Sequence, residues 1–122
     1  FHNRILPDNV YLEGYVDNIA RYYINADAVI APIFSGSGMK TKTIEAMSYG
    51  KKIFGTNEAF DGIECEYDKI GGLCNTAEEF IRCLASSISR HPNSYTLQLF
   101  RTSYTDAVFT SRLKQLIFYA EK

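Results

Sequence analysis

One stretch in the first half of the chain constrains its fold most, because an apolar segment leads through a glycine–serine turn into a helix. Residues 28–33 are apolar throughout, Gly36 and Gly38 flank a serine, and the helix predicted over residues 39–49 is followed by Gly50. A continuous apolar strand is typical of a parallel sheet covered by helices on both faces. A glycine directly after a helix is a common C-cap. The stretch therefore predicts an α/β fold.

The spacing of three residues in this stretch suggests an anion site. Gly38, Lys42 and Glu45 follow each other at four and three residues, so they lie on one face of the helix. Glycine lets the backbone approach a ligand, and the first-turn N–H groups lack helical partners at the positive end of the helix dipole. Lys42 would then contact a phosphate and Glu45 the ribose hydroxyls of a nucleoside diphosphate.

The same residues also admit a purely structural interpretation. The glycines would then only allow the turn, and Lys42 and Glu45 would form an exposed ion pair worth about 0.2–0.5 kcal/mol. The segment is neither a P-loop, which needs Gly-Lys-Ser/Thr, nor a GxGxxG fingerprint. The pattern alone leaves the two interpretations open.

Strand and helix patterns alternate along the chain, which predicts a Rossmann-like three-layer sandwich with a parallel sheet of about four strands. Ligands of such sheets lie at the carboxyl ends of the strands, where Val16, Ser35 and Thr56 emerge. The predicted strands cover residues 10–16, 28–33, 52–56 and 72–75. The predicted helices cover residues 18–25 with Asp17 as N-cap, 39–49, a segment from the capping box at 76–79 to Ile88, 94–107 and 110–120.

Composition and single residue types exclude several classes of function. A net charge of −1 gives no general attraction to nucleic acid, and no apolar run reaches the ~20 residues that cross a bilayer. Three cysteines without a CxxC pair indicate free thiols and a reducing, cytoplasmic compartment. No metal site is expected from His2 and His91, which lack neighbouring ligands. The cysteines are Cys65, Cys74 and Cys83.

Two aromatic or apolar features have a structural and a functional interpretation. Tyr22 and Tyr23 could stack on a nucleobase, but packing of a helix against a sheet is the more common role of such tyrosines. An apolar stripe in the last predicted helix, in the range 113–120, needs a partner surface on its own sheet or on another chain.

Four segments in a fixed order resemble the C-terminal half of GT-B glycosyltransferases, in the large retaining group often called family 4. The resemblance covers residues 8–75 and rests on the order of the segments more than on any one of them. The segments are residues 10–16 (VYLEGYV), 26–32 (ADAVIAP), 36–47 (GSGMKTKTIEAM) and 50–56 (GKKIFGT).

The resemblance implies a role for individual residues in binding a nucleotide diphosphate sugar donor. The nucleobase would meet the turn of Gly14, Tyr15 and Val16, and Glu45 would bind the ribose. Lys42 matches a lysine of one branch of the family. The donor's phosphates and sugar would meet the turn formed by Gly36, Ser37, Gly38, Met39 and Lys40. No cofactor and no obligatory metal are implied.

One departure from the family pattern bears on catalysis. A Glu-x7-Glu pair is frequent in the family, and its first glutamate touches the donor sugar. Counting back from Glu45 places Ser37 at that position, where a hydroxyl can bond the sugar but supplies no charge near a developing oxocarbenium ion. No catalytic residue is therefore assigned. The alternatives are a GT-B nucleotide-sugar epimerase and a non-catalytic nucleotide-binding or interaction module.

The length of the chain suits one domain only. We expect residues 1–122 to be a single partial domain, the donor-binding half of a larger enzyme, with the N-terminal acceptor domain and first strands upstream. The full enzyme would transfer a sugar to a glycan or lipid-linked acceptor, for example in polysaccharide biosynthesis, in the cytoplasm or at the inner membrane face. The chain alone would be inactive and would self-associate.

Overall fold

A computed structural model describes residues 5–36, 41–87 and 92–105, together with Ala107. Helices and strands alternate over most of these residues, which confirms the α/β fold class. In chain order the described elements are α1 (Ala20–Asn25), β1 (Val29–Ala31), α2 (Thr41–Ser48), β2 (Ile53–Gly55), α3 (Tyr67–Ile70), β3 (Gly71–Leu73), α4 (Ala77–Ser87) and α5 (Ser94–Ser103).

The described strands form one parallel sheet in the order β1-β2-β3. Val29 lies opposite Ile53, and Ile53 lies opposite Gly71, so the three strands start in register. The prediction of a parallel sheet is confirmed, and three of the four predicted strands are present. The crossovers between these strands contain α2 and α3, and parallel strands are usually joined through a helix in this way.

The two faces of β2 contact different helices. Ile53 belongs to a buried cluster that includes Ala46 and Met47 of α2, and α5 packs on the same cluster through Leu99 and Phe100. Phe54 points to the opposite face, where Gly72 approaches both Phe54 and Cys83 of α4. The sheet therefore lies between α4 on one side and α2 with α5 on the other, which gives the three layers expected.

The end of α2 follows the prediction closely. Gly50 has φ 67°, which is the left-handed conformation that glycine adopts most easily, and its N–H donates to Met47 O at 2.9 Å. A Cβ at this position would lie 2.7 Å from Leu97 Cγ, so α5 also requires a glycine here. The C-cap thus brings α2 and α5 into close contact.

The strand predicted over residues 10–16 is wrong. These residues form no strand, and residues 10–15 are exposed. Gly14 has φ 66°, which interrupts an extended backbone, and a turn joins Val10 N–H to Pro7 O at 2.9 Å. A strand gains its hydrogen bonds from a neighbour, and no described strand pairs with this segment.

The burial predicted for residues 28–33 on both faces is also wrong. Strand β1 is one of the two outer strands among the described residues, and Ile30 is 54% exposed on the face where α4 covers β2 and β3. The strand buried throughout is β2, whose three residues Ile53, Phe54 and Gly55 are all inaccessible. An apolar run identifies a strand of this sheet but does not give its place in the order.

The predicted N-terminal capping is wrong for α1 and is observed in part for α4. Asp17 is not the N-cap of α1, since Ile19 occupies that position and Asn18 Oδ1 accepts from Ala20 N–H at 3.1 Å. One half of the capping box before α4 is present, since Thr76 Oγ1 accepts from Glu79 N–H at 3.2 Å. The Glu79 carboxylate accepts from Asn75 N–H at 2.7 Å.

Some predicted features lie outside the described residues, and one described helix was not predicted. The helix over residues 110–120 with its apolar stripe, and the turn residues 37–40, are outside that part of the chain. The short helix α3 was not predicted, because four residues are too few for a helical pattern to show. In the described part of the chain, no helix has the length and apolar character needed to cross a bilayer.

Candidate functional site

Side-chain hydrogen bonds join the loops at the carboxyl ends of the strands. Thr56, directly after β2, donates from Oγ1 to Ile33 O after β1 and accepts from Ala59 N–H at 3.2 Å. Asn57 N–H donates to Asn75 Oδ1 after β3 at 3.0 Å. The loops after all three strands are therefore tied to one another at the edge where parallel α/β sheets bind ligands.

Helix α2 begins next to this edge and is fixed there by a buried threonine. Thr43 is 1% exposed, and its Oγ1 donates to Ala59 O at 2.8 Å. Lys42 precedes it on the exposed side, and Glu45 is half-buried. The ion pair found in the described part joins Lys69 to Glu66 at 2.8 Å, whereas Lys42 and Glu45 do not pair. The two side chains are therefore not engaged with each other, contrary to the structural interpretation of this motif.

Lys42 lines a cleft of about 310 Å³ between α1, β1 and the start of α2. The walls are mainly apolar, from Val29, Ala31 and Ile33 on one side and the ring of Tyr23 on another. Lys42 brings a positive charge to this cleft and Thr43 a polar group. A cleft with apolar walls and few polar groups is the usual form of a small-molecule site.

The ring of Tyr23 connects Glu45 to this cleft. Tyr23 stacks on Tyr49 with ring centroids 4.9 Å apart and an angle of 8° between the planes. Partial burial raises the pKa of the Tyr23 phenol above its usual value, and the nearby Glu45 carboxylate and Tyr49 raise the pKa further. Tyr23 thus has the packing role expected of it, and Glu45 lies within electrostatic reach of its hydroxyl.

The predicted nucleobase turn borders other openings beside α1. Gly14 and Val16 line a cleft of about 170 Å³ with Glu13, Ile19 and Tyr22. Val16 also borders a second opening of about 310 Å³, with Asp17, Asn18 and Arg21. A Cβ at Gly14 would meet no atom within 4 Å, so a ligand has open access to this backbone.

A short polar chain holds the turn against α1. Arg21 Nη2 donates to Tyr22 Oη at 3.1 Å, and Tyr22 Oη donates to Glu13 Oε2 at 3.3 Å. The Arg21 guanidinium lies 5.0 Å from the centroid of the Tyr22 ring. The hydrogen bond to Tyr22 raises the pKa of Arg21 above its usual value, and the Glu13 carboxylate adds a smaller rise.

The predicted site residues thus fall into two described groups. Lys42 and Glu45 lie near Tyr23 on one side of α1, while Gly14 and Val16 lie near Tyr22 on the other. Tyr15 is 91% exposed and lines neither cleft, and Gly36 is exposed at the end of the loop after β1. The remaining residues of the turn, Ser37, Gly38, Met39 and Lys40, lie outside the described part of the chain.

Three residues that hold this arrangement together were not recognised as such from the sequence. Thr43 and Thr56 are buried threonines whose hydroxyls bridge loops, and Lys51 is a buried lysine that donates to two carbonyls of another element. The signal available was a polar residue at a position that the helical or strand pattern assigns to the core. Such residues need buried hydrogen-bond partners.

Comparison with known proteins decides the family. The sequence matches the family described as Glycosyl transferases group 1 over residues 2–90, which is well over half of the chain. The chain belongs to the group 1 glycosyltransferases. No match was found among curated proteins or among solved structures.

Membership of the group 1 glycosyltransferases confirms the resemblance that the four ordered segments indicate. The matched region runs from before α1 to the end of α4, so it includes both sides of α1 and all three described strands. In the described part of this glycosyltransferase domain, no three His, Cys, Asp or Glu residues are grouped as metal ligands would be.

Proposed function

We propose that this group 1 glycosyltransferase domain binds the nucleoside diphosphate part of a nucleotide-sugar donor across α1. The main support is the arrangement of two residues of α2 that form no ion pair with each other. Lys42 lines one cleft, and the Glu45 carboxylate lies near Tyr23, which lines the same cleft. In the proposal, Lys42 and the turn of residues 36–40 bind the diphosphate. Glu45 binds the ribose hydroxyls, and residues 14–16 contact the base.

The proposed contribution to catalysis is stabilisation of the departing diphosphate. In sugar transfer, negative charge develops on the phosphate oxygen as the glycosidic bond breaks. A fixed cation and backbone N–H groups aimed at that oxygen lower the barrier, because they need no reorganisation during the reaction. The chain would be the donor-binding half of a longer enzyme, whose other domain supplies the glycan or lipid-linked acceptor.

The first test is a titration with UDP, GDP and ADP, followed through the backbone amide shifts of the protein. The proposal expects weak binding, with shifts concentrated at residues 14–16 and 36–45. Inorganic pyrophosphate should shift the second group only. Absence of shifts from both groups at millimolar ligand contradicts the proposed site.

The second test concerns Glu45. Glu45→Gln should weaken ADP binding about ten-fold to a hundred-fold, because a hydrogen bond to a charged group is worth roughly 1.5–3 kcal/mol. A 2′,3′-dideoxy analogue, which lacks the ribose hydroxyls, should bind the variant and the parent equally. Glu78→Gln, an exposed change in the first turn of α4, is the matched control and should have no effect. Unchanged ADP affinity with an altered melting temperature would assign Glu45 to structure.

A further inference from the structure

Helix α1 separates the two groups of proposed ligand contacts. Tyr22 lines the cleft that contains Gly14 and Val16, while the next residue, Tyr23, lines the cleft that contains Lys42. The position of α1 therefore sets how far the proposed base contacts lie from the proposed phosphate contact. A ligand that spans both sides needs this separation to be fixed before it binds.

Few contacts fix α1 from within its own sequence. The helix has six residues, none of them fully buried, and isolated helices of that length are not stable in water. The N-cap residue Ile19 offers no side-chain hydrogen bond, and Asn18 Oδ1 accepts only from the Ala20 N–H. The stack of Tyr23 on Tyr49 attaches one side of α1 to the end of α2. Further anchoring must come from other elements.

Lys51 supplies such an anchor. Its side chain is buried, with the residue 8% exposed, and Nζ donates to Ala26 O at 2.9 Å and to Ile24 O at 3.2 Å. These carbonyls lie at the C-terminal end of α1, where the helix dipole favours a cation. The backbone N–H of Lys51 donates to Ala46 O of α2 at 3.4 Å. One residue thus joins the end of α1 to the end of α2.

We propose that Lys51 is a positioning residue for the donor site: it sets the separation between the base-contacting turn of residues 14–16 and the phosphate-contacting start of α2. The assignment rests on the proposed function. It predicts that loss of the Lys51 ammonium affects ligands that span α1 and spares ligands that bind on one side only. Lys51 itself touches no ligand in this scheme.

The ligand test uses Lys51→Met, which keeps most of the apolar stem and removes the charge. Nucleoside diphosphate binding should weaken about ten-fold, equivalent to ~1.4 kcal/mol, while pyrophosphate affinity stays within about two-fold. Lys51→Arg retains the charge and the donors and should restore most of the nucleotide affinity. Lys69→Met, the same change at an exposed lysine paired with Glu66, is the matched control and should affect neither ligand.

A measurement without ligand separates this assignment from the proposed function. In Lys51→Met, the nuclear Overhauser effect between the Tyr23 and Tyr49 rings should weaken and the amide shifts of residues 13–26 should move, while the shifts of α4 stay unchanged. Should Lys51→Met fail to fold, as judged by the α4 shifts, Lys51→Gln takes its place. Failure of the parent protein to bind any nucleotide would refute the proposed function, and the ring contact would still decide whether Lys51 positions α1.

Two results would overturn the positioning role. An unchanged Tyr23–Tyr49 contact in Lys51→Met would mean that α1 does not depend on the ammonium. Equal weakening of nucleotide and pyrophosphate binding would mean that the substitution acts on the fold as a whole or on the phosphate contacts.

Discussion

At the scale of single residues, Asn93 joins three parts of the chain. Its Oδ1 accepts from Tyr95 N–H at 3.0 Å and from Thr96 N–H at 3.4 Å, so it is the N-cap of α5. Its Nδ2 donates to Lys69 O at 2.9 Å, and its N–H donates to Gly50 O at 2.7 Å. One amide side chain therefore both starts α5 and attaches it to α3, next to the C-cap of α2.

Two substitutions at Asn93 separate these roles. Asn93→Ala should lower the free energy of unfolding by about 1–2 kcal/mol, because the cap is lost and the Lys69 carbonyl loses its donor. Asn93→Ser keeps a cap acceptor and removes the donor to Lys69 O, so its cost should be smaller. Urea denaturation measures both. Equal costs for the two variants would show that the cap contributes nothing.

A second residue-scale prediction concerns Cys74, which is fully buried after β3. Burial raises the pKa of its thiol to about 11, and contact with the Cys83 thiol adds to the rise. In the unfolded chain the pKa of the thiol is near its usual value of 9.0, so at alkaline pH ionisation of the thiol stabilises the unfolded state relative to the folded state. This contribution to stability is complete below pH 9 and is lost as the pH rises towards 11.

Denaturation at several alkaline pH values tests this. Cys74→Ala should be less stable than the parent at neutral pH, because it leaves a small cavity. Its stability should then fall less steeply than that of the parent between pH 9 and pH 11. Parallel pH profiles for the two proteins would show that the buried thiol does not titrate on unfolding.

At the scale of elements, close packing of α2 on α5 depends on Gly50. The left-handed backbone of Gly50 and the nearby side chain of Leu97 both disfavour a larger residue. Gly62, in the turn before α3, has φ 80° but no atom within 4 Å of an added Cβ. Gly50 and Gly62 therefore have similar left-handed backbone conformations and different surroundings.

This pair gives a matched experiment on helix packing. Gly62→Ala should cost about 1–2 kcal/mol, which is the penalty for a side chain in the left-handed conformation. Gly50→Ala should cost more, because its Cβ would lie 2.7 Å from Leu97 Cγ and must displace that side chain. In a Leu97→Ala background, Gly50→Ala should lower the free energy of unfolding by less than it does in the parent protein. Equal costs at the two glycines would mean that the Leu97 side chain moves away from the new Cβ without a measurable loss of stability.

At the scale of the whole molecule, the outer edge of β1 bears on association between chains. No other strand pairs with this edge among the described residues, and Ile30 and Phe34 are 54% and 66% exposed beside it. An unpaired strand edge with apolar neighbours offers hydrogen-bonding groups and buried area to another chain. We therefore expect the chain to self-associate at moderate concentration.

Size-exclusion chromatography with light scattering measures this association. Ile30→Lys should shift the equilibrium to monomer, because a charge beside a strand edge opposes pairing. Ile81→Lys introduces the same charge at an exposed position of α4 and should leave the assembly unchanged. If the parent protein stays monomeric over a concentration range of about a hundred-fold, the edge of β1 does not pair with another chain in solution.

The sequence by itself determined the class of fold and the family. It also determined those helix ends that depend on a capping residue close by in the sequence. Gly50 ends α2 and Thr76 with Glu79 begins α4, because capping depends on residues within a few positions of one another. The order of four short segments identified the glycosyltransferase resemblance, and the family match over residues 2–90 confirms it. Lys42 and Glu45 were placed on one helix by their spacing alone.

Only the tertiary structure decided which strand is central and which distant segments contact each other. The apolar runs over residues 28–33 and 52–56 look equivalent, yet β2 is buried and β1 is half-exposed, because burial depends on where α4 packs. The segment of residues 10–16 has strand-like residues but no partner for its hydrogen bonds. Lys51 reaches α1 across 25 residues of sequence, a distance at which no local pattern specifies a contact.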